Sequence, residues 1–262
     1  FGLYGIYWLG WEHFSWWTLG LGLAWFAACG VSITGGYHRL FSHPTYKAVW
    51  PLRLFYLLFG SASVQNSALK WSSDHRAHHG HVDTERDPYN IYQGFWWAHI
   101  GWVLFHTGSG SLDNVGDLKK DPLVRFQHEH YVLIAIVFGA LLPVGLGFLW
   151  GDPIGALLVA GFTRLMVQYH ATFAVNSFAH TLGTQPYSTA TSARDSFITA
   201  ILTLGEGYHN FHHSFQMDYR NGVRWWQLDP TKWFVWTLST VGVTHDLRRA
   251  IPERIRAARS SV

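Results

Sequence analysis

Residues 14–43 read FSWWTLGLGLAWFAACGVSITGGYHRLFSH. The run from Phe14 to Tyr37 contains no Asp, Glu, Lys, Arg or His, and it is longer than the roughly 20 apolar residues a helix needs to cross a bilayer. Trp16 and Trp17 stand at its entrance, where an aromatic belt meets the membrane surface. The run ends at His38, and His38 and His43 follow within six residues. An uncharged span delivering histidines to the membrane boundary predicts an integral membrane protein with metal chemistry at one face.

The rest of the chain fits that frame. Residues 1–9 are apolar and too short to cross, so they are read as the closing turns of a first spanning helix that begins earlier. Residues 131–150 form a further span, Gly151-Asp152-Pro153 a tight turn, and residues 154–180 the return. Leu54 to Ala68 is apolar but broken by Gly60, Ser61 and Ser63, which predicts a buried or interfacial helix. Residues 38–130 and 181–262 are polar and rich in histidine, as a water-facing cap would be. Neither Trp11–His13 nor Gly151–Pro153 carries Lys or Arg, and apart from Arg164 every basic residue falls on the opposite side. The positive-inside rule therefore puts both termini and all the histidine clusters in the cytoplasm. The expected fold is all-α: one domain over 1–262, four transmembrane helices with the first truncated, and a cytosolic helical cap.

Composition agrees. The chain is 48% hydrophobic and only 13% charged, against roughly 25% charged in soluble domains. A net charge of +3 without a basic run gives no support for nucleic-acid binding. Cys29 is the single cysteine, which excludes an internal disulfide and a cysteine-based metal site.

Four histidine clusters carry the chemistry: His38-Arg39-Leu40-Phe41-Ser42-His43, His75-Arg76-Ala77-His78-His79, Asn176-Ser177-Phe178-Ala179-His180 and His209-Asn210-Phe211-His212-His213. They hold nine of the 17 histidines, too many for one ion and suited to two. Spacings of three and four place the rings of 75, 78 and 79, and of 209, 212 and 213, on one helix face each. Asn176 and His180, four apart, also share a face. Asparagine is a poor direct ligand and is suited to hold a metal-bound water. Ordinary interfacial histidines would account for one cluster, but not for four at matching topological positions. Neutral imidazoles cannot cancel two dications, so carboxylates should hydrogen-bond the rings from behind. Asp74, Asp83, Asp87 and Glu206 lie beside the clusters, each with a solvated surface acid as the plainer reading. His99 in WWAHIGW is the best such candidate among the other histidines. An all-nitrogen dinuclear iron site against a membrane suggests oxygen activation on a lipid chain more naturally than zinc hydrolysis.

These boxes, with the context Gly205-Glu206-Gly207-Tyr208, resemble the membrane fatty acyl desaturases of the stearoyl-CoA Δ9 type, in a bacterial-like member, from about Leu3 to Asp246. The resemblance implies two Fe ions held by His38, His43, His75, His78, His79, His180, His209, His212 and His213, with Asn176 holding a water. It implies O2 as co-substrate, no catalytic residue beyond the metal site, and a cis double bond placed at C9–C10 of a saturated long-chain acyl thioester. The kink of the family's acyl tunnel falls at Gln65, Trp71 and Thr172. Phe173 stands where the family has Trp, and the chain-length positions fall at Phe26 and Gly30. Location in a bacterial inner membrane follows from the same likeness.

There are departures. The basic pair that animal members use for coenzyme A is absent from Phe105-His106-Thr107-Gly108-Ser109, and an arginine before the second box is Ser73. Acyl-CoA, acyl carrier protein and phospholipid therefore all stay open as carriers. No cytochrome b5 segment follows Asp246, so the expected electron donor is separate: a ferredoxin, a cytochrome b5-like protein or a reductase. Imidazole sites hold Zn2+ more tightly than Fe2+, so recombinant protein is expected to take zinc readily. A histidine-box hydroxylase is the rival enzyme, separated by its alcohol product. A membrane haem or metal electron carrier is the non-enzyme rival, but haem needs only one or two axial residues.

Overall fold

A computed structural model describes residues 1–105 and 111–262. The chain divides into two compact units. The first comprises Phe1–Tyr37, Pro51–Trp71 and Gly116–His170, and the second His38–Trp50, Ser72–Val115 and Ala171–Val262.

The first unit is helical. Gly2–Tyr7 continues through Trp8–Glu12 in wider turns. The next helix starts at Trp16 because Ser15 caps it, its Oγ accepting from the Thr18 amide at 3.3 Å. It belongs to the continuous helix Trp16–Ser42, which with Tyr131–Trp150 is long and apolar enough to cross a membrane. Pro143 sits inside the second of these, directly after the wide turns Val137–Leu141. Such turns accommodate a residue that cannot donate to the preceding carbonyl. The expected tight turn follows. Asp152 accepts from the Gly155 amide at 2.8 Å and from Thr18 Oγ1 at 2.6 Å. The return helix then runs through Pro153–Ala156, Leu157–Thr163 and Arg164–Ser177. Trp25, Cys29, Ala62 and Ala160 form the core, with Phe59 and Phe138 packed on it.

Two expected boundaries move. The helix expected to end at His38 continues to Ser42, its last part Ser32–Ser42 wound as a π-helix. Its terminal carbonyls are satisfied from elsewhere: the Arg76 guanidinium donates to Phe41 O and Ser42 O, both at 2.9 Å, as a basic side chain can at a helix C-terminus. The apolar run 54–68 is not one helix. Trp50–Ala62 ends in a turn where Val64 (φ 53°) and Asn66 (φ 73°) are left-handed, and a new helix spans Ala68–His81. The Arg164 guanidinium donates to Ala160 O at 3.0 Å and Ala62 O at 2.8 Å.

The second unit carries the histidine clusters. A small sheet pairs Lys47–Ala48 antiparallel with Thr244–His245, Lys47 opposite His245. A six-residue helix, His209–Ser214, bears the last cluster. Glycine is required before it. Gly205 takes φ +100° against Asp229, and a Cβ on Gly207 would lie 2.1 Å from the Ala200 nitrogen.

Candidate metal centre

The nine box histidines gather into two groups within the second unit. One holds His38, His43, His75, His79 and His212, the other His78, His180, His209 and His213, and within each group the ligand-capable nitrogens lie within 4.8 Å of one another. The boxes interleave. His75 and His79, one turn apart, serve the first group while His78 serves the second. On the last cluster His209 and His213 serve the second group and His212 the first. Rings expected on one helix face are thus divided between the two groups. Residues i and i+4 stay together, whereas the third ring, about 100° from its neighbour, points to the other group.

Several contacts test whether a metal fits. His38 Nε2 lies 3.0 Å from His212 Nε2, His43 Nε2 2.8 Å from His75 Nε2, His79 Nε2 2.9 Å from His212 Nε2, and His209 Nε2 3.0 Å from His213 Nε2. Ligands at right angles about an ion, each 2.0–2.1 Å away, would stand about 2.8–3.0 Å apart. Burial pushes the imidazoles of His43, His75, His79, His209, His212 and His213 well below their ordinary range, leaving neutral rings with a lone pair to give.

The groups behind the rings fix which nitrogen is bare. Asp87 Oδ1 lies 2.8 Å from His78 Nδ1, which places the ring proton there. His78 Nε2 is then a buried lone pair with no hydrogen-bond partner. Ser192 Oγ lies 2.7 Å from His180 Nδ1 and donates its own proton to Asp83 Oδ1, so His180 is protonated at Nδ1 as well. His180 Nε2 is likewise buried and unpartnered. Buried polar atoms are rarely orphaned, and two bare imidazole nitrogens in one group of four suit a cation. The donor set, nine imidazoles in two groups, fits two transition-metal ions.

Charge is supplied one layer out. Glu206 Oε2 pairs with His38 Nδ1 at 2.8 Å, and Oε1 with Arg39 Nη2 at 2.7 Å. Burial alone would raise this carboxyl, but the Arg39 guanidinium and the His38 ring hold it down at about 2. Arg39 also donates to Asp229 Oδ2 at 3.1 Å and to Tyr219 O at 2.9 Å. Asp87 is held below its usual range in spite of burial, chiefly through its hydrogen bond to His78.

The remaining expected residues lie as follows. Asn176 is half-buried on Arg164–Ser177, and its carboxamide makes no hydrogen bond among the described residues. Asp74 is half-buried and acts electrostatically on Tyr89. His99 is buried, its Nδ1 2.9 Å from Ser177 Oγ and its ring beside Phe173, and it belongs to neither histidine group. In the first unit Trp71 Nε1 donates to Gln65 Oε1 at 3.3 Å, Phe26 is half-buried and Gly30 buried. Thr172 and Phe173 belong to the second unit, where Phe173 packs on Trp102. Ser73 donates to Ser111 O and Asn114 Oδ1. His106–Ser109 lie outside the described residues.

Sequence reasoning passed over four residues. Arg39, Arg76 and Asn210 stand inside the boxes. Asn210 fixes the loop ahead of it through Tyr187 N, Ser188 O and Ala193 O at 2.7–3.0 Å. A charge or amide between ligands on a buried helix was the available signal. Ser192, twelve residues beyond His180, had none.

The pattern of the family described as Fatty acid desaturase matches residues 14–243. The chain is 47% identical over 236 residues to Acyl-CoA desaturase 1 of Saccharomyces cerevisiae, covering 89% of this chain and 46% of that protein. It is 37% identical to Delta(9)-fatty-acid desaturase fat-7 of Caenorhabditis elegans, covering 93% and 74%. To Stearoyl-CoA desaturase of Sus scrofa it is 35% identical, covering 92% and 69%. The chain spans about half the length of the two yeast relatives it matches.

Proposed function

Because the chain belongs to the fatty acid desaturase family, we propose that it places a cis double bond at C9–C10 of a saturated long-chain acyl-CoA. In balance, two hydrogens leave adjacent methylenes. With O2, two electrons and two protons they become two waters. The observation that carries this reading is the division of nine histidines, seven of them buried and His79 and His213 half-buried, into groups of five and four, with His78 Nε2 and His180 Nε2 bare in the second. Acyl-CoA as carrier is supported by the names of the relatives, and the electrons come from a separate ferredoxin, cytochrome b5-like protein or reductase.

His38, His43, His75, His79 and His212 would hold one iron, and His78, His180, His209 and His213 the other. When bound, the pair supplies oxygen activation. The chain's own residues do the rest. Glu206, Asp87 and the Asp83–Ser192 pair keep His38, His78 and His180 protonated at Nδ1, so that Nε2 stays available. Asn176, its carboxamide unengaged, holds a water beside the second group. Burial keeps bulk water off the centre and the rings of His43, His75, His79, His209, His212 and His213 neutral. Neighbouring methylenes are almost equal in intrinsic reactivity, so position selects the carbons. That role is carried over from the resemblance to Gln65, Trp71, Thr172, Phe173, Phe26 and Gly30.

The setting is a membrane. Spans over about 1–9, 14–37, 131–150 and 154–180 under one cytoplasmic cap make a single desaturase domain. Two helices of crossing length and the one-sided distribution of Lys and Arg support this.

The test is expression in a host without Δ9 activity, followed by mass spectrometry of its fatty acids with double-bond localisation. New Δ9 monoenes that vanish in His78→Ala are expected. An alcohol in place of the alkene overturns desaturation.

A further inference from the structure

We propose that Ser192 is a positioning residue for the second metal, acting with Asp83 as a relay that sets the tautomer and aim of His180. This deepens the two-metal reading and rests on it.

The geometry is specific. Asp83 receives both the Ser192 amide, at 2.6 Å, and the Ser192 hydroxyl. The hydroxyl proton is thereby committed to the carboxylate. Ser192 Oγ can meet His180 Nδ1, 2.7 Å away, only as an acceptor. The ring proton must sit on Nδ1, and the unpartnered Nε2 is left for the metal. A serine alone would not impose this, because a hydroxyl can also donate to Nδ1 and reverse the tautomer. The carboxylate removes that choice.

A second feature ties the relay to the same metal group. The Asp83 amide donates to Asp87 Oδ2 at 3.1 Å, while Asp87 Oδ1 holds His78. One short turn after the second box therefore orients two ligands of one group, His78 directly and His180 through Ser192. Asp83 takes φ 66° to do so. A non-glycine residue in this region is uncommon, and such strain persists where surrounding contacts over-determine it. Here three contacts do so: the Asp83 amide on Asp87, and the Ser192 amide and hydroxyl on the two Asp83 carboxylate oxygens.

Solvent gives the relay its purpose. Asp83, His180, Ser192, Gln185 and Arg194 are among the residues lining a cleft of about 550 Å3 that opens to the surface. Water in that cleft competes for the hydroxyl and for Nδ1. An ionised partner holds them better than a neutral one.

The experiment uses the full chain in detergent, freed of metal and titrated anaerobically with ferrous iron against a chromogenic chelator. Wild-type protein is expected to bind two irons, and His180→Ala identifies which binding step belongs to the second group. In Ser192→Ala that step weakens about 10–100-fold, the usual cost of losing a partner behind a ligand, while the other is unchanged. Asp83→Asn shifts the same step, and Ser192→Thr, which keeps the hydroxyl, restores it. Unchanged binding in Ser192→Ala, or equal weakening of both steps, overturns the proposal. Wild-type protein that binds no iron overturns the two-metal reading, and the relay's role with it.

Discussion

Glu206→Gln isolates what a single buried charge does for this centre. The side chain is 5% exposed and meets three donors: His38 Nδ1 at 2.8 Å, Arg39 Nη2 at 2.7 Å and Asn221 Nδ2 at 2.6 Å. Glutamine keeps the volume and removes the charge. Losing one partner of a buried ion pair costs about 3–5 kcal/mol, and because Asp229 still faces Arg39 the lower end applies. The depression of the Glu206 carboxyl from 4.5 to about 2 gives a similar size, about 3 kcal/mol. For a chain this long that is a fall in Tm of about 6–12 °C, read in the apoprotein by tryptophan fluorescence in detergent. A depressed carboxyl stabilises above its unfolded pKa and loses that effect as pH falls through the folded one. The gap between variant and wild type is therefore full above pH 4.5 and closes towards pH 2. A second effect concerns His38. Arginine only donates, so the new amide oxygen turns to Arg39 and the amide nitrogen faces His38 Nδ1. His38 must move its proton to Nε2, the nitrogen 3.0 Å from His212 Nε2. Iron binding at the first group then weakens about 10–100-fold. A variant that melts with wild type and binds both irons as tightly would refute the reasoning.

Gly207→Ala drives a Cβ to 2.1 Å from the Ala200 nitrogen, where backbone must move. A loss of at least about 1–3 kcal/mol is expected, seen as a lower Tm and poor yield, and wild-type melting would contradict the packing. Asp87→Asn leaves His78 without a carboxylate to hold its Nδ1 proton. Iron at the second group should bind about 10–100-fold more weakly, with the first group unaffected in the same titration. Gly30→Phe should shorten the acyl chain the enzyme prefers, with Gly30→Ala in between. An unchanged product distribution in a chain-length assay would remove Gly30 from the acyl path.

The clusters were legible because their pattern is local. Spacings of three and four bring rings together on any helix, and an uncharged run of bilayer length announces itself. The division of ligands between two groups was not legible, since it depends on where neighbouring helices stand. His78 and His79 are adjacent in sequence and belong to different groups. The carboxylates Asp83, Asp87 and Glu206 could be named from proximity in sequence, but not assigned to a ring. Asp83 reaches His180 through Ser192, 109 residues away. The end of the first long helix was misplaced for a related reason. Arg76, on another helix, caps carbonyls that otherwise would have to find water.

The strained backbone follows the same geography. Among the described residues, five other than glycine take positive φ: Val64, Asn66, Asp83, Leu204 and Asp246. Val64 and Asn66 flank Gln65, Asp83 anchors the relay to His180, and Leu204 stands two residues before Glu206. A left-handed residue costs about 1–2 kcal/mol, and the β-branched Val64 is the least suited of the five. The turn around Gln65 is nevertheless held on both sides, by Tyr169 donating to Val64 O at 2.9 Å and by Asn66 N donating to Tyr131 Oη at 3.1 Å. Between those two bonds the Gln65 side chain accepts from Trp71 Nε1 at 3.3 Å. Glycine at Val64 would relieve the strain and loosen the turn. The chain instead keeps rigid, costly backbone beside residues whose proposed work is to hold a ring or a methylene in one place. Stability and positioning pull in opposite directions at these points, and four of the five sit where positioning matters most.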